Sequence, residues 1–186
     1  MKTLTLLRHA KSGYDDPLLR DFDRPLNDRG RRAAMRVGQW LGAAIKRGDM
    51  PDFALVFASP AVRVRQTIEG LEAGMNRPLA PVYEQRIYLA SSATLIELCA
   101  GFSDEFSDAM LVGHNPGLED LLLELVPPGA SRSGTLRAEA ELKYPTATLA
   151  RLDIAIDRWA QIDGGRAELT KFVRPRDLDP SLGPDD

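Results

Sequence analysis

The chain offers few places where chemistry could start. It has one cysteine, Cys99, which excludes an intrachain disulfide. Cys99 falls in the apolar pattern Leu95, Ile96, Leu98, Cys99, so core packing is its expected role. There are two histidines, His9 and His114. Neither has a close His/Cys/carboxylate set around it, so no metal site is expected, and no cofactor. No run is long enough to span a bilayer, and the N-terminus lacks the apolar region and cleavage site of a signal peptide; a cytoplasmic location is expected. The net charge is −3, and bulk electrostatics therefore suggest neither nucleic acid nor an anionic membrane as partner. No internal repeat and no linker interrupts the 186 residues. One domain over 1–174 is expected, followed by a Pro- and Asp-rich tail, 175–186, that should be poorly ordered.

What is present is the composition of a soluble globular protein, 44% hydrophobic and 27% charged. Three apolar runs each end abruptly at polar residues. Leu4-Thr5-Leu6-Leu7 ends in Arg8-His9. Phe53 to Phe57 ends in Ala58-Ser59-Pro60, with Arg63 and Arg65 soon after. Ala109 to Val112 ends in Gly113-His114. Such runs read as buried strands of a parallel sheet, and in open α/β sheets ligands lie at the C-terminal strand ends. Right-handed crossovers place the three ends along one edge. Arginine offers a planar fork suited to phosphate oxygens, and neutral histidine is a nitrogen nucleophile. Arg63 and Arg65 also sit in the first turn of a helix, where the dipole disfavours cations; a nearby anion would account for them. The helix behind His114 presents free N–H groups, a ready anion site. Together these features point to phosphoryl transfer.

The intervening chain alternates helices and strands. Asn27 should cap a helix carrying Ala33, Ala34, Val37, Trp40, Leu41, Ala44 and Ile45 at helical spacing and closed by Lys46-Arg47-Gly48. Ser59 and Pro60 read as the cap and first position of the next helix. Val82-Tyr83 reads as a short strand, and Ser91 or Ser92 as the cap of a helix through Ala100. Thr135 to Leu142 alternates like a strand but has the composition of a helix. Thr146 to Ile156 and Ala167 to Val173 should form an antiparallel hairpin at one side of the sheet. The carboxylates of the loop Gly13–Arg24 (Asp15, Asp16, Asp21, Asp23) read as solvated, as does the basic run Arg29, Arg31, Arg32, Arg36; nucleic-acid contact is a weak alternative for the latter. The fold class is α/β, a three-layer α/β/α arrangement with a mostly parallel central sheet.

Arg8-His9-Ala-Lys-Ser12 resembles the Arg-His-Gly motif region of the histidine phosphatase superfamily, with Ala10 in place of the usual glycine. Ser59-Pro60-Ala-Val-Arg63-Val-Arg-Gln66-Thr67 resembles its second motif, which selects Arg63 over Arg65, and Gly113-His114-Asn115-Pro116 resembles its third. The short chain, Arg24-Pro25-Leu26 and Tyr144-Pro145-Thr146 look like the SixA-type phosphohistidine phosphatase branch. The resemblance runs from Met1 to about Val173. It implies a phosphoglycerate mutase-like fold and a catalytic set of His9, Arg8, Arg63 and His114. His9 would become a phosphohistidine, and Arg8, Arg63, His114 and Ser12 would contact the substrate phosphate. It also implies a substrate that is a phosphohistidine-bearing protein or a small phosphorylated metabolite. Alternatives are a phosphatase for a small phosphate ester and a non-catalytic phosphate-binding module. The departure is the general acid. Glu84 is the only nearby carboxylate and a candidate, but its register matches poorly and a solvated position at the strand end is favoured. An imidazole leaving group, unlike an alcohol, makes little demand on an acid.

Overall fold

The computed structural model of the chain describes residues 1–13, 17–129 and 134–183. A six-stranded sheet has the order β3-β2-β4-β1-β5-β6. Its strands are β1 (Lys2–Arg8), β2 (Leu55–Ala58), β3 (Val82–Tyr83), β4 (Asp108–Gly113), β5 (Leu149–Ile154) and β6 (Ala167–Val173). The first four run parallel; β5 is antiparallel to β1 and β6 to β5, so the expected hairpin closes one side. Central β1 and β4 are buried on both faces, which is why they read as continuous apolar runs. Leu4 and Leu6 of β1, with Ala109 and Leu111 of β4, enter one core; Leu7, Met110 and Val112 enter the other.

Helices α1 (Asp28–Lys46) and α2 (Val62–Met75) cover the second core. Helices α3 (Ser92–Ala100), α4 (Gly117–Leu125) and α5 (Gly134–Leu142) cover the first. The Asn27 side chain accepts a hydrogen bond from Gly30 N at 2.9 Å, starting α1, and Gly48 follows it at φ +78°. Ser91 caps α3 by accepting from Thr94 N at 3.3 Å. The ambiguous segment 135–142 is helical. As a strand it would line Leu136, Ala138, Ala140 and Leu142 along one face, yet Leu142 is 87% exposed while Ala140 is buried. No helix among the described residues is long and apolar enough to cross a membrane.

Two local expectations are corrected. Ser59 does not cap α2; the helix starts at Val62 after Ala61, and fully buried Ser59 turns its hydroxyl to His114. A hydroxyl in reach of an imidazole has a stronger partner than a helix N–H. The segment 175–183, expected as a loose tail, forms a short helix α6 (Pro175–Leu178) and a 3-10 turn (Pro180–Leu182). It buries Pro175 and Leu182, and the basic face of α1 holds it. Arg29 donates to Gly183 O at 3.1 Å and Arg36 to Leu178 O at 3.1 Å. Two of the arginines read as solvated, Arg29 and Arg36, thus have partners on the tail. Residues 184–186, and Asp15 and Asp16 of the acidic loop, lie outside the described residues.

Gly30 sets how closely α1 approaches the loop that follows β1. A Cβ there would lie 2.1 Å from Lys11 O, a backbone atom with no freedom to retreat. Gly30→Ala should therefore destabilise the protein by about 1–3 kcal/mol, the usual cost of overpacking. Urea denaturation with an unchanged m-value would measure it; a wild-type midpoint would contradict the account.

Candidate active site

The parallel strands β2, β4 and β1 are neighbours, so Ala58, Gly113 and Arg8 end side by side. A cavity of about 220 Å³ opens over these ends, and its wall includes Arg8, His9, Ser12, Arg63 and His114. All five sequence-predicted residues are thus brought together, from positions up to 106 apart in the chain. The two imidazoles lie with ring centroids 5.1 Å apart.

Hydrogen bonding settles the state of His9. Its Nδ1 lies 2.7 Å from Ala10 O. A carbonyl can only accept, so Nδ1 carries the proton in the neutral ring and Nε2 holds the lone pair. The other side agrees: Arg63 Nε donates to His9 Nε2 at 3.3 Å. Burial lowers the His9 pKa to about 3; the bond to Ala10 opposes this, and the neighbouring His114, Arg63 and Arg8 add to it. His114 is also lowered to about 3, by burial first and then by the charge of Arg63. His114 Nε2 lies 2.8 Å from Ser59 Oγ, and the Tyr88 ring packs edge-on against it at 5.4 Å.

The second motif holds the first in place. Thr67 Oγ1 accepts from Ala10 N at 2.9 Å and donates to Arg63 O at 2.6 Å, one turn back on α2. Gln66 Oε1 accepts from Leu26 N at 2.8 Å, tying α2 to the start of α1. Arg8 Nη1 donates to Tyr144 O at 2.6 Å. Ser12 Oγ accepts from Arg24 Nη2 at 2.5 Å. Arg65 is exposed and stacks on Tyr83 at 3.8 Å, away from the cavity.

Asp21, read from sequence as a solvated loop carboxylate, is a member of the site. Arg63 Nη1 donates to Asp21 O at 2.5 Å and Nη2 to Asp21 Oδ2 at 2.9 Å. Tyr88 donates to the same carboxylate oxygen at 2.7 Å, and Arg24 Nη1 to Oδ1 at 2.8 Å. Partial burial opposes ionisation, but the bonds from Tyr88 and Arg63 and the charges of Arg63 and Arg24 prevail and hold its pKa at about 2. No spacing signal marks it, since its partner Arg63 is 42 residues away. Lys11, Leu89, Asn115 and Thr146 also line the cavity. Glu84 does not; its carboxylate accepts from Arg86 N at 3.0 Å and Arg86 Nη2 at 3.2 Å, outside the wall. Asp21 is the one carboxylate in that wall among the described residues.

Two histidines held neutral down to about pH 3 have a cost in acid. In the unfolded chain they protonate near 6.5. Between those values the unfolded state binds more protons, so stability must fall as pH falls. From pH 7 to pH 5, each histidine should remove up to roughly 2 kcal/mol, a window that ordinary carboxylates barely enter. Urea unfolding at both pH values should show a smaller drop in His9→Gln than in the wild type. Equal drops would mean that His9 is not held neutral.

The model of the histidine phosphatase superfamily (branch 1) matches residues 4–87. An uncharacterized protein of Mycobacterium tuberculosis is 38% identical over 173 residues, which cover 91% of this chain and all of that protein. Among solved structures, SixA from Agrobacterium tumefaciens, itself proposed to be a phosphohistidine phosphatase, is 33% identical. It superposes with a TM-score of 0.70 over 94% of this chain and 98% of its own. The protein histidine phosphatase SixA complexed with tungstate shares the fold, at TM-score 0.72 and 18% identity, over 95% of this chain and 99% of its own. With its three motifs joined at one sheet edge, the chain belongs to branch 1 of the histidine phosphatase superfamily and to its SixA-type group.

Proposed function

We propose that the chain is a phosphohistidine phosphatase in which His9 Nε2 is the nucleophile. The observation that carries this is the Nδ1–H bond to Ala10 O, which leaves the Nε2 lone pair on a ring kept neutral inside a cationic cavity. Nε2 attacks phosphorus in line, the substrate imidazole leaves, and a phosphohistidine forms on His9. Water then attacks phosphorus and returns Nε2 as free base. Arg8 and Arg63 oppose the charge on the equatorial oxygens, and His114 and Ser12 offer further contacts. The Arg63 guanidinium is turned to Asp21 and to His9. The phosphoryl group therefore displaces the Arg63 bond to Nε2 and competes with Asp21 for the same fork.

The leaving group follows from the carboxylates. A general acid must hold a proton at working pH. Asp21 is ionised there, and Glu84 stands outside the wall. Expelling an alkoxide would go unassisted, whereas imidazole departs with a near-neutral conjugate acid. This favours a P–N substrate on a protein over a small phosphate ester. The intact nucleophile disfavours a phosphate-binding module, which would need the cations only.

Three measurements test the proposal. His9→Ala should abolish phosphoramidate hydrolysis, and rapid quench of wild type should trap an acid-labile, base-stable phosphoenzyme; substantial turnover by the variant would refute the nucleophile. Arg63→Ala should lose about 2–4 kcal/mol of transition-state stabilisation, by analogy with a lost oxyanion donor. Arg65→Ala should be nearly silent, and equal kinetics would show that the wrong arginine has been chosen. Finally, kcat/KM for a phosphohistidine peptide should exceed that for a sugar phosphate by about 10²–10⁴, the worth of one missing proton transfer. Glu84→Gln should leave both unchanged; comparable rates, with the sugar phosphate activity lost in Glu84→Gln, would make Glu84 the acid.

A further inference from the structure

Beside the catalytic cavity lies a second one, of about 270 Å³. The two share Arg8, Lys11 and Thr146 in their walls and are therefore contiguous. Five separate parts of the chain line the second cavity: the end of β1 with the loop after it, the start of α1, the segment after α5, the junction of β6 with α6, and the turn at Leu182–Gly183. The docked C-terminal segment is thus one of its walls.

Six cationic side chains line this space: Arg8, Lys11, Arg29, Lys143, Arg174 and Arg176. No carboxylate lines it among the described residues. Such a set is unexpected in a protein of net charge −3, because like charges gathered in a concave wall repel one another. Arg174 is answered by Asp177 at 2.9 Å and Glu139 at 3.0 Å, which approach it from outside the cavity wall. Lys11, Lys143 and Arg176 make no ion pair among the described residues. Lys143 and Arg176 are exposed, and Ala33, Pro145, Pro175 and Leu182 add apolar wall. A concave, partly apolar pocket whose wall holds several cations and no carboxylate among the described residues suits an anionic group.

We propose that this cavity is a second anion subsite, which takes a carboxylate or phosphate carried by the same substrate whose phosphoryl group sits over His9. The proposal rests on the phosphatase reading for the role of the first cavity. It narrows the substrate class to molecules with two anionic groups, such as a phosphohistidine flanked by acidic side chains. Arg8 faces both cavities and so bridges the two anions. A substrate with one anionic group uses the catalytic cavity alone.

Binding tests this independently of turnover. Calorimetry would compare methylphosphonate with α,ω-bisphosphonates and ω-carboxyalkylphosphonates of increasing spacer length, none of which has a cleavable P–N or P–O–C bond. At least one two-anion ligand should bind about tenfold or more tightly than methylphosphonate, the least expected from linking two sites. The double variant Lys143→Ala/Arg176→Ala removes exposed side chains outside the catalytic set. It should lose that gain while binding methylphosphonate within about twofold of wild type, because an exposed charge acts weakly at a distance. A wild type that gains nothing at any spacer length, or a double variant that keeps the gain, would overturn the subsite. Phosphohistidine peptides with acidic or with alanine flanks serve as the kinetic arm. Acidic flanks should lower KM in wild type and not in the double variant, and indifference of wild type to the flanks would count against a protein-borne second anion. Failure of wild type to hydrolyse phosphoramidate would strike the phosphatase reading instead and leave the bisphosphonate result standing.

Discussion

The protonation state of the candidate site depends on one short hydrogen bond, from His9 Nδ1 to the carbonyl of its neighbour Ala10. A neutral imidazole has one proton and one lone pair, and this bond decides which nitrogen has which. Were Ala10 O turned elsewhere, the proton could move to Nε2 and that nitrogen would lose its lone pair. The position of Ala10 is therefore as consequential as that of His9. It is held by Thr67 Oγ1, which bridges Ala10 N to the Arg63 carbonyl. The same helical turn that delivers the Arg63 guanidinium to the cavity also fixes the tautomer of the His9 ring.

Charge in the site is balanced in an unusual way. Burial first, and then the cations that face the cavity, keep both histidines neutral. Asp21 is the internal counter-charge, drawing Arg63, Arg24 and Tyr88 onto one carboxylate. It occupies the fork of Arg63, so the buried guanidinium is not left uncompensated. Its low pKa keeps it ionised at neutral pH.

The scaffold supports this by close backbone contact rather than by side-chain bulk. Gly30 lets α1 lie against Lys11 O, and Gly117 lets α4 lie against Ala90 O, where a Cβ would come within 2.0 Å. Both contacts fix loops that lead into the cavity. On the far side of Arg8, the tail lies on the basic face of α1 and forms part of the wall of the second cavity. Arginines that would otherwise repel each other on α1 are satisfied by tail carbonyls.

Much was legible in the sequence because it was written locally. Buried strands need continuous apolar runs, and a strand that ends in Arg8-His9 or Gly113-His114 announces where its polar residues emerge. Asn27, Ser91 and Gly48 mark helix ends through bonds that span only a few residues. The family motifs added the choice of Arg63 over Arg65, which no periodicity could make. What the sequence left undecided depended on partners far along the chain. Ser59 has the form of a helix cap until His114, 55 residues away, claims its hydroxyl. Asp21 is one acidic loop residue among several until Arg63 and Tyr88 close on it. The Pro- and Asp-rich tail has the composition of a loose end until the arginines of α1 give it a surface. Segment 135–142 carries two periodicities, and only the exposure of Leu142 against the burial of Ala140 separates them. Local backbone preference and burial pattern are properties of neighbouring residues and can be read in order. Hydrogen-bond partnership and electrostatic compensation are properties of proximity in space, which the tertiary structure alone decides.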